Sequence, residues 1–297
     1  MRRIVVSILA YNAEPFIKYC LDSIYDIADM IIIVEGAFDR QRIYGSRSTD
    51  RTIEIIRKYH DPKTKIRLLF MNGHEHEHKN VALRYCDPGD WYFMVDADEI
   101  YTSKALGNLR RILQTDRKTD LFYVRWNNFY YSFRYYLREL SSPRLYRVSR
   151  GCRFIWKNML ATGSGVSYER LRTKKISPNK ALIFHYGYLW NVKQKMALYG
   201  RPGRVWYETI FRTFTWKDRN RIYRLNALLS KGKPGIHYHG GQKLKIFKGK
   251  HPQIMRAHPL SGRDLTKEFQ KGYAEPPYRI DPFTFLLRYL LYGVILK

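Results

Sequence analysis

The chain has 297 residues and a formal charge of +28, from 54 Lys and Arg against 26 Asp and Glu. Its 45% hydrophobic and 15% aromatic content excludes a disordered chain, and the charge points to an anionic partner. Three widely spaced cysteines, Cys20, Cys86 and Cys152, with no Cys-x-x-Cys pair, exclude a disulfide framework or zinc knuckle and suit a reducing, cytoplasmic setting.

In chain order, RIVVSILAY from Arg3 reads as a strand, not a signal peptide: the apolar run lasts only from Ile4 to Tyr11 and has no small-residue cleavage site. EPFIKYCLDSIYDIA has the 3-to-4 apolar spacing of a helix, MIIIVEG is a second strand, and STDRTIEIIRKYH a helix capped by Ser48 or Asp50. KIRLLFM, a helix around KNVALRYC, the turn DPGD and the strand WYFMVDADE follow. Strands that are near-continuous apolar runs, alternating with helices, predict an α/β fold whose parallel sheet is covered on both faces. After ALGNLRRILQ the texture changes. From Leu121 to Tyr207 the chain is crowded with Tyr, Phe, Trp and Arg, and its only carboxylates are Glu139 and Glu169. The expected divisions are therefore an α/β region over 1–120, a second part of the same domain over 121–200, and a basic C-terminal extension over 201–297. FTFLLRYLLYGVIL at 283–296 is too short, at 14 residues with Arg288 inside it, for the roughly 20 apolar residues of a spanning helix, but it suits a surface resting on a membrane.

Asp96, Asp98 and Glu99 follow directly on an apolar strand, where α/β sheets bind ligands. Two carboxylates at i and i+2 on such a turn can converge on one hard divalent cation; they can equally cap the next helix. His74, His76 and His78, interleaved with Glu75 and Glu77, suit an extended segment or helix start better than a metal site.

The motifs VSILAYNAE, IIIVEG, STDRT, KNVALRYCDPGDWYFMVDADE, SPRLYR and HYGY, in that order and spacing, resemble the family-2 glycosyltransferases with the GT-A fold. The likeness covers most of 3–125 and, more faintly, 140–200; the DADE form is most similar to the branch containing lipopolysaccharide-core and cell-surface sugar transferases. The resemblance implies a nucleotide-sugar donor over the first half of the sheet, with Tyr11 stacking on a uracil or guanine and Glu35 accepting an N–H from the base. A UDP-sugar is favoured, with a GDP-sugar as the alternative. Asn12, Glu14 and Asp50 fall in the matching motifs and are assigned to the donor as well. The chain departs from the family pattern in EGAFDRQRIYGSRSTD, which has a single Glu and roughly ten extra residues where the family has aspartates followed closely by GSTD.

The same resemblance makes Asp98 the leading ligand of Mn2+ or Mg2+, with Asp96 on ribose, metal or metal-bound water and His185 as a third ligand. An imidazole in the set favours Mn2+. Asn80, Arg84, Arg144 and Arg147 are candidates for the pyrophosphate, since guanidinium forks match phosphate oxygens. For the base of an inverting displacement, Glu169 in GVSYERL resembles the family's Val-His-Glu motif, with Tyr168 in place of the histidine; Glu139 is the second choice, and Asp120 is expected to start a strand. Basic and aromatic residues together suit a glycan or lipid-linked acceptor reached from an anionic membrane surface, on its inner face. A nucleotidyltransferase lacks its glycine-rich first loop here, and the absence of an RNP box or suitably placed GXXG loop argues against nucleic acid. A nonenzymatic RNA- or membrane-binding protein on a degenerate fold is the rival of a different class.

Overall fold

The computed structural model describes residues 2–38, 45–130, 132–156, 159–161, 170–189, 238–239 and 242–265. The first half alternates as expected: β1 (Ile4–Ala10), α1 (Ile17–Ile24), β2 (Met30–Glu35), α2 (Thr52–Arg57), β3 (Ile66–Phe70), α3 (Glu75–Leu83), β4 (Trp91–Asp96), β5 (Glu99–Ile100) and α4 (Ser103–Thr115). Strands then dominate: β6 (Leu121–Tyr130), β7 (Tyr135–Arg147), β8 (Arg153–Trp156), β9 (Met159–Ala161), β10 (Thr173–Lys175) and β11 (Leu182–Tyr188).

One sheet runs through the molecule in the order β3-β2-β1-β4-β7-β6-β11-β5, with β10 added to β6 and Lys245–Ile246 added to β7. Strands β1 to β4 pair in parallel; β7 is antiparallel to both β4 and β6, and β11 is parallel to β6. The alternation of side chains along β1 sends Ile4, Val6 and Ile8 to a core with α1 and α4, and Val5 to a second core with Ala82 and Leu83 of α3 and Phe154 of β8. Both faces are thus covered, which is why β1, β2 and β4 read as continuous apolar runs.

Two helix starts fall within the alternatives the sequence offered. α2 begins only at Thr52, where Asp50 Oδ1 accepts the Thr52 N–H at 3.0 Å. α3 begins earlier, at Glu75, so the HEHEH run opens a helix: Glu77 Oε2 accepts the His74 N–H at 2.6 Å. The texture change at residue 120 is no break in the sheet, because β6 and β7 extend it. Residues 244–265 also belong to this body; Met255 is fully buried in the α1 core, and a 3-10 helix, Gln253–Ala257, packs on α1. Among the described residues no helix is long and apolar enough to cross a membrane, and the 283–296 stretch lies outside them.

Candidate active site

The C-terminal ends of β1, β2 and β4 meet at one edge, since Ala10 lies in register with Glu35 and Leu9 with Asp96. Here the loop after β1 and the loop before α2 are joined by side chains. The Asn12 N–H donates to Ser48 Oγ at 2.8 Å, and Asn12 Oδ1 accepts the Thr49 N–H at 2.8 Å. Asn12 has φ 50°, a left-handed conformation that asparagine tolerates better than most residues. Asp50 Oδ2 accepts the Glu14 N–H at 3.0 Å, and the Glu14 carboxylate accepts from Arg51 N and Nε at 3.0 and 2.7 Å. Asn12, Glu14 and Asp50 therefore brace two loops against each other at the edge where the donor is expected.

Glu35 is fully buried, and its Oε1 accepts both the N–H and the hydroxyl of Ser48 at 2.7 Å. Its Oε2 has no hydrogen bond; among the described residues the cation paired with it is Arg47, whose Nη1 stands 3.8 Å away. The Arg47 guanidinium lies over the Phe70 ring at 4.6 Å, and Tyr11 beside it donates its hydroxyl to Gly45 O at 2.9 Å. Arg47 comes from the insertion that marks this chain's departure from the family pattern, and sequence reasoning did not single it out.

The carboxylates after β4 separate into two groups. Glu99 and Arg144 are both buried and paired: Arg144 Nε donates to Glu99 at 3.1 and 3.2 Å and Nη2 donates to it as well, while Nη2 also donates to Asp96 Oδ2 at 2.9 Å. Burial pushes the Glu99 carboxyl up to about 7, against the opposing pull of Arg144. Burial works against the Arg144 charge too, but Glu99 and Asp96 outweigh it and hold the guanidinium firmly protonated. Arg144, expected on the pyrophosphate, is thus the counter-ion of the carboxylate cluster beneath the site.

Asp98 stands apart from that pair. Strand β11 runs antiparallel to β5, with His185 opposite Glu99, and this brings His185 Nε2 to 3.2 Å from Asp98 Oδ1. Gly187 makes the approach possible, because a Cβ there would collide with Asp98 Oδ2 and lie 2.7 Å from His185 Cε1. The His185 ring is stacked on Trp126 of β6 with centroids 5.1 Å apart and planes 8° from parallel. Two donor atoms converging at a glycine cradle fit a divalent cation, and the mixed oxygen and nitrogen set fits Mn2+. Among the described residues no group of three or more His, Cys, Asp or Glu gathers to hold a metal by itself.

Of the remaining phosphate candidates, Arg147 and Arg84 lie away from this edge, and Asn80 is bonded to a neighbouring strand. Arg147 lies in register with Trp91, the first residue of β4, at the opposite edge of the sheet; it donates to Asp116 O and Arg117 O and stacks over Trp91. Arg84 caps the C-terminal end of α3, on that same far side where the chain turns into β4, and is exposed. Asn80 has both ends of its amide on the Phe154 backbone of β8, at 2.7 and 2.8 Å, so it ties α3 to that strand. Its neighbour Lys79, passed over in the sequence, has a buried ammonium 2.6 Å from Glu75; burial lowers its pKa, with Glu75 and then Asp96 opposing. The one available signal was its Glu75–Lys79 spacing of four on a helix. Asp120 starts β6 as read, in a two-pronged pair with Arg172. Glu169 lies outside the described residues, as does the side chain of Glu139.

A sheet of this topology, with an acidic turn after its fourth strand, defines an α/β protein whose candidate site lies at the C-terminal ends of its parallel strands. The model of the family "Glycosyl transferase family 2" matches residues 5–176, more than half the chain. The chain belongs to that family, and its sheet is the GT-A sheet. Among curated proteins it is 28% identical, over 109 residues, to the SPbeta prophage-derived glycosyltransferase SunS of Bacillus subtilis (strain 168) and to glycosyltransferase SunS of Bacillus phage SPbeta. The matched stretch is 37% of this chain and spans only 23% of those relatives' length. Among solved structures, S. aureus TarS 1-349 aligns with TM-score 0.42 and 14% identity over 79% of this chain and 81% of its own. Glucosyl-3-phosphoglycerate synthase from Mycobacterium tuberculosis, solved with Mn2+, UDP and glucosyl-3-phosphoglycerate, aligns with TM-score 0.30 and 23% identity over 43% of this chain and 44% of its own. Family membership rests on the family model.

Proposed function

We propose that the protein transfers a sugar from a nucleoside diphosphate sugar, in the first instance a UDP-sugar, to a glycan or lipid-linked acceptor in a reaction that needs a divalent cation. The observation that carries this reading is the convergence of Asp98 and His185, 3.2 Å apart beside Gly187, at the ligand-binding edge of the sheet. Asp98 and His185 would hold Mn2+ or Mg2+. Bound there, the cation supplies Lewis acidity toward the donor's diphosphate and offsets charge on the leaving group. Asp96, held by Arg144 through one oxygen but with its side chain 43% exposed, is suited to accept from a ribose hydroxyl.

The base pocket is read from Glu35 and its neighbours. Glu35 Oε2 can accept an N–H, and Arg47 at 3.8 Å can donate to an adjoining carbonyl. That acceptor-beside-donor pair matches the N–H flanked by C=O in uracil, and equally in guanine; cytosine and adenine offer no such edge. Tyr11 supplies an aromatic surface. Glu169 is assigned the proton of the acceptor hydroxyl in a direct displacement with inversion.

Release of nucleoside diphosphate from a panel of UDP- and GDP-sugars, with an acceptor extract and with or without Mn2+, tests the reading. Turnover of one donor class that stops on chelation is expected, with Glu169→Gln slowing it by about 10² to 10⁴. Full turnover in the presence of chelator contradicts the cation, and an unimpaired Glu169→Gln moves the base elsewhere.

A further inference from the structure

Strand β6 lies beside β11 with Asn128 in register with His185, and partners in neighbouring strands present their side chains to the same face. Both residues are buried, at 1% and 9% exposure. Asn128 Oδ1 and His185 Nδ1 are each without a hydrogen-bond partner. Two such orphans on adjacent residues, one able to accept and the other to donate, are costly to leave apart. Two residues earlier on the same face, the Trp126 indole stacks on the His185 ring and carries the Arg144 guanidinium over its own ring at 4.7 Å.

We infer that Trp126 and Asn128 are positioning residues for His185: the indole fixes the plane of its imidazole, and once a divalent cation takes Nε2 the Asn128 carboxamide oxygen accepts the proton then held on Nδ1. A neutral imidazole binds a metal through one nitrogen while the other keeps its proton, and the acceptor for that proton sets tautomer and ring orientation. Without a cation Nε2 faces the Asp98 carboxylate and donates to it; a cation taking that nitrogen leaves the ring's proton on Nδ1, and Asn128 is the in-register neighbour that can accept it. Trp126 has a second effect. By holding both His185 and Arg144 it couples the two halves of the site, since Arg144 fixes Asp96 and Glu99.

The inference rests on the cation reading above, and its test separates the two. Mn2+ binding to the full-length protein is followed by the loss of the free-ion electron paramagnetic resonance signal, with thermal melts confirming that each variant folds. Asn128→Leu and Trp126→Leu are expected to weaken binding by about 10- to 100-fold, the usual effect of losing an outer-shell partner. Asn128→Asp keeps the acceptor and Trp126→Phe keeps a stacking ring, so both should bind close to wild type. They decide the matter should a leucine variant not fold. Unchanged binding in the leucine variants, or a loss in Asn128→Asp equal to that in His185→Ala, overturns the positioning role while the cation reading stands. Wild-type protein that binds no Mn2+, or His185→Ala that binds as wild type, overturns the cation reading at His185 and this inference with it.

Discussion

Replacing Arg144 by alanine would leave the Glu99 carboxylate buried with no counter-charge. Removing one partner of a buried ion pair commonly costs about 3–5 kcal/mol. Burial raises Glu99 from its ordinary 4.5 to about 7, so the folded protein holds that proton more tightly than the unfolded chain between those values. Its contribution to stability is therefore complete below the unfolded pKa and is lost as pH rises through about 7. Arg144→Ala removes the partner that opposes this shift, so its destabilisation should be largest near pH 8 and smaller near pH 5, where Glu99 can take a proton. Denaturant melts at those two values check it; equal losses at both would mean that Glu99 keeps its charge throughout. Asp98 and His185 could be singled out in the sequence because the acidic turn and HYGY are local motifs, and the structure brings them within 3.2 Å of each other; the cation between them is the proposal. The partnership of Arg144 with Glu99 was not legible there, because 45 residues of chain separate them and only the pairing of β7 beside β4 brings them together.

At the scale of elements, the sequence shows each strand whose burial is two-sided, so β1, β2 and β4 were read correctly as apolar runs. What it does not show is which end of the sheet a later residue reaches. SPRLYR suggested two phosphate-binding arginines, yet along β7 Arg144 falls beneath the acidic turn and Arg147, three residues on, pairs with the start of β4. The segment 242–265 was equally hidden, since it joins the body through a two-residue strand on β7 and a few single side chains. His258 Nε2 lies 2.6 Å from Pro15 O, in the loop after β1, and its Nδ1 accepts the Leu260 N–H at 3.0 Å. His251 Nε2 lies 3.0 Å from Phe133 O, with Nδ1 2.8 Å from the Tyr186 hydroxyl. Burial lowers both imidazole pKa values, and the carbonyl contacts only partly offset it. Folded-state pKa values below the unfolded 6.5 mean a stabilisation present above 6.5 and lost as pH falls through the folded values. The segment should therefore loosen in mild acid. Hydrogen exchange of peptides over 245–260, compared near pH 7 and near pH 5 after correction for intrinsic rates, is expected to show protection lost there first; protection that survives with the rest of the sheet would remove the histidine clamp.

The whole molecule carries +28, far more than the few cations the donor site uses. A chain so charged is drawn to anionic surfaces, which is the physical ground for proposing an acceptor presented on an anionic layer. Docking through 283–296 predicts sedimentation with anionic vesicles that weakens as salt rises and falls further in a chain ending at Asp281. A truncated chain that loses its cooperative melt would instead assign the stretch to the core. The central claim, a donor site completed by a cation at Asp98 and His185, is tested most directly by calorimetric binding of UDP to wild-type protein and to Asp98→Ala, each with Mn2+ and with chelator. Wild type is predicted to bind UDP more tightly with Mn2+, and Asp98→Ala to lose that gain while melting as wild type does. Binding of UDP that is indifferent to Mn2+ in the wild type, or a gain that survives in Asp98→Ala, would contradict it.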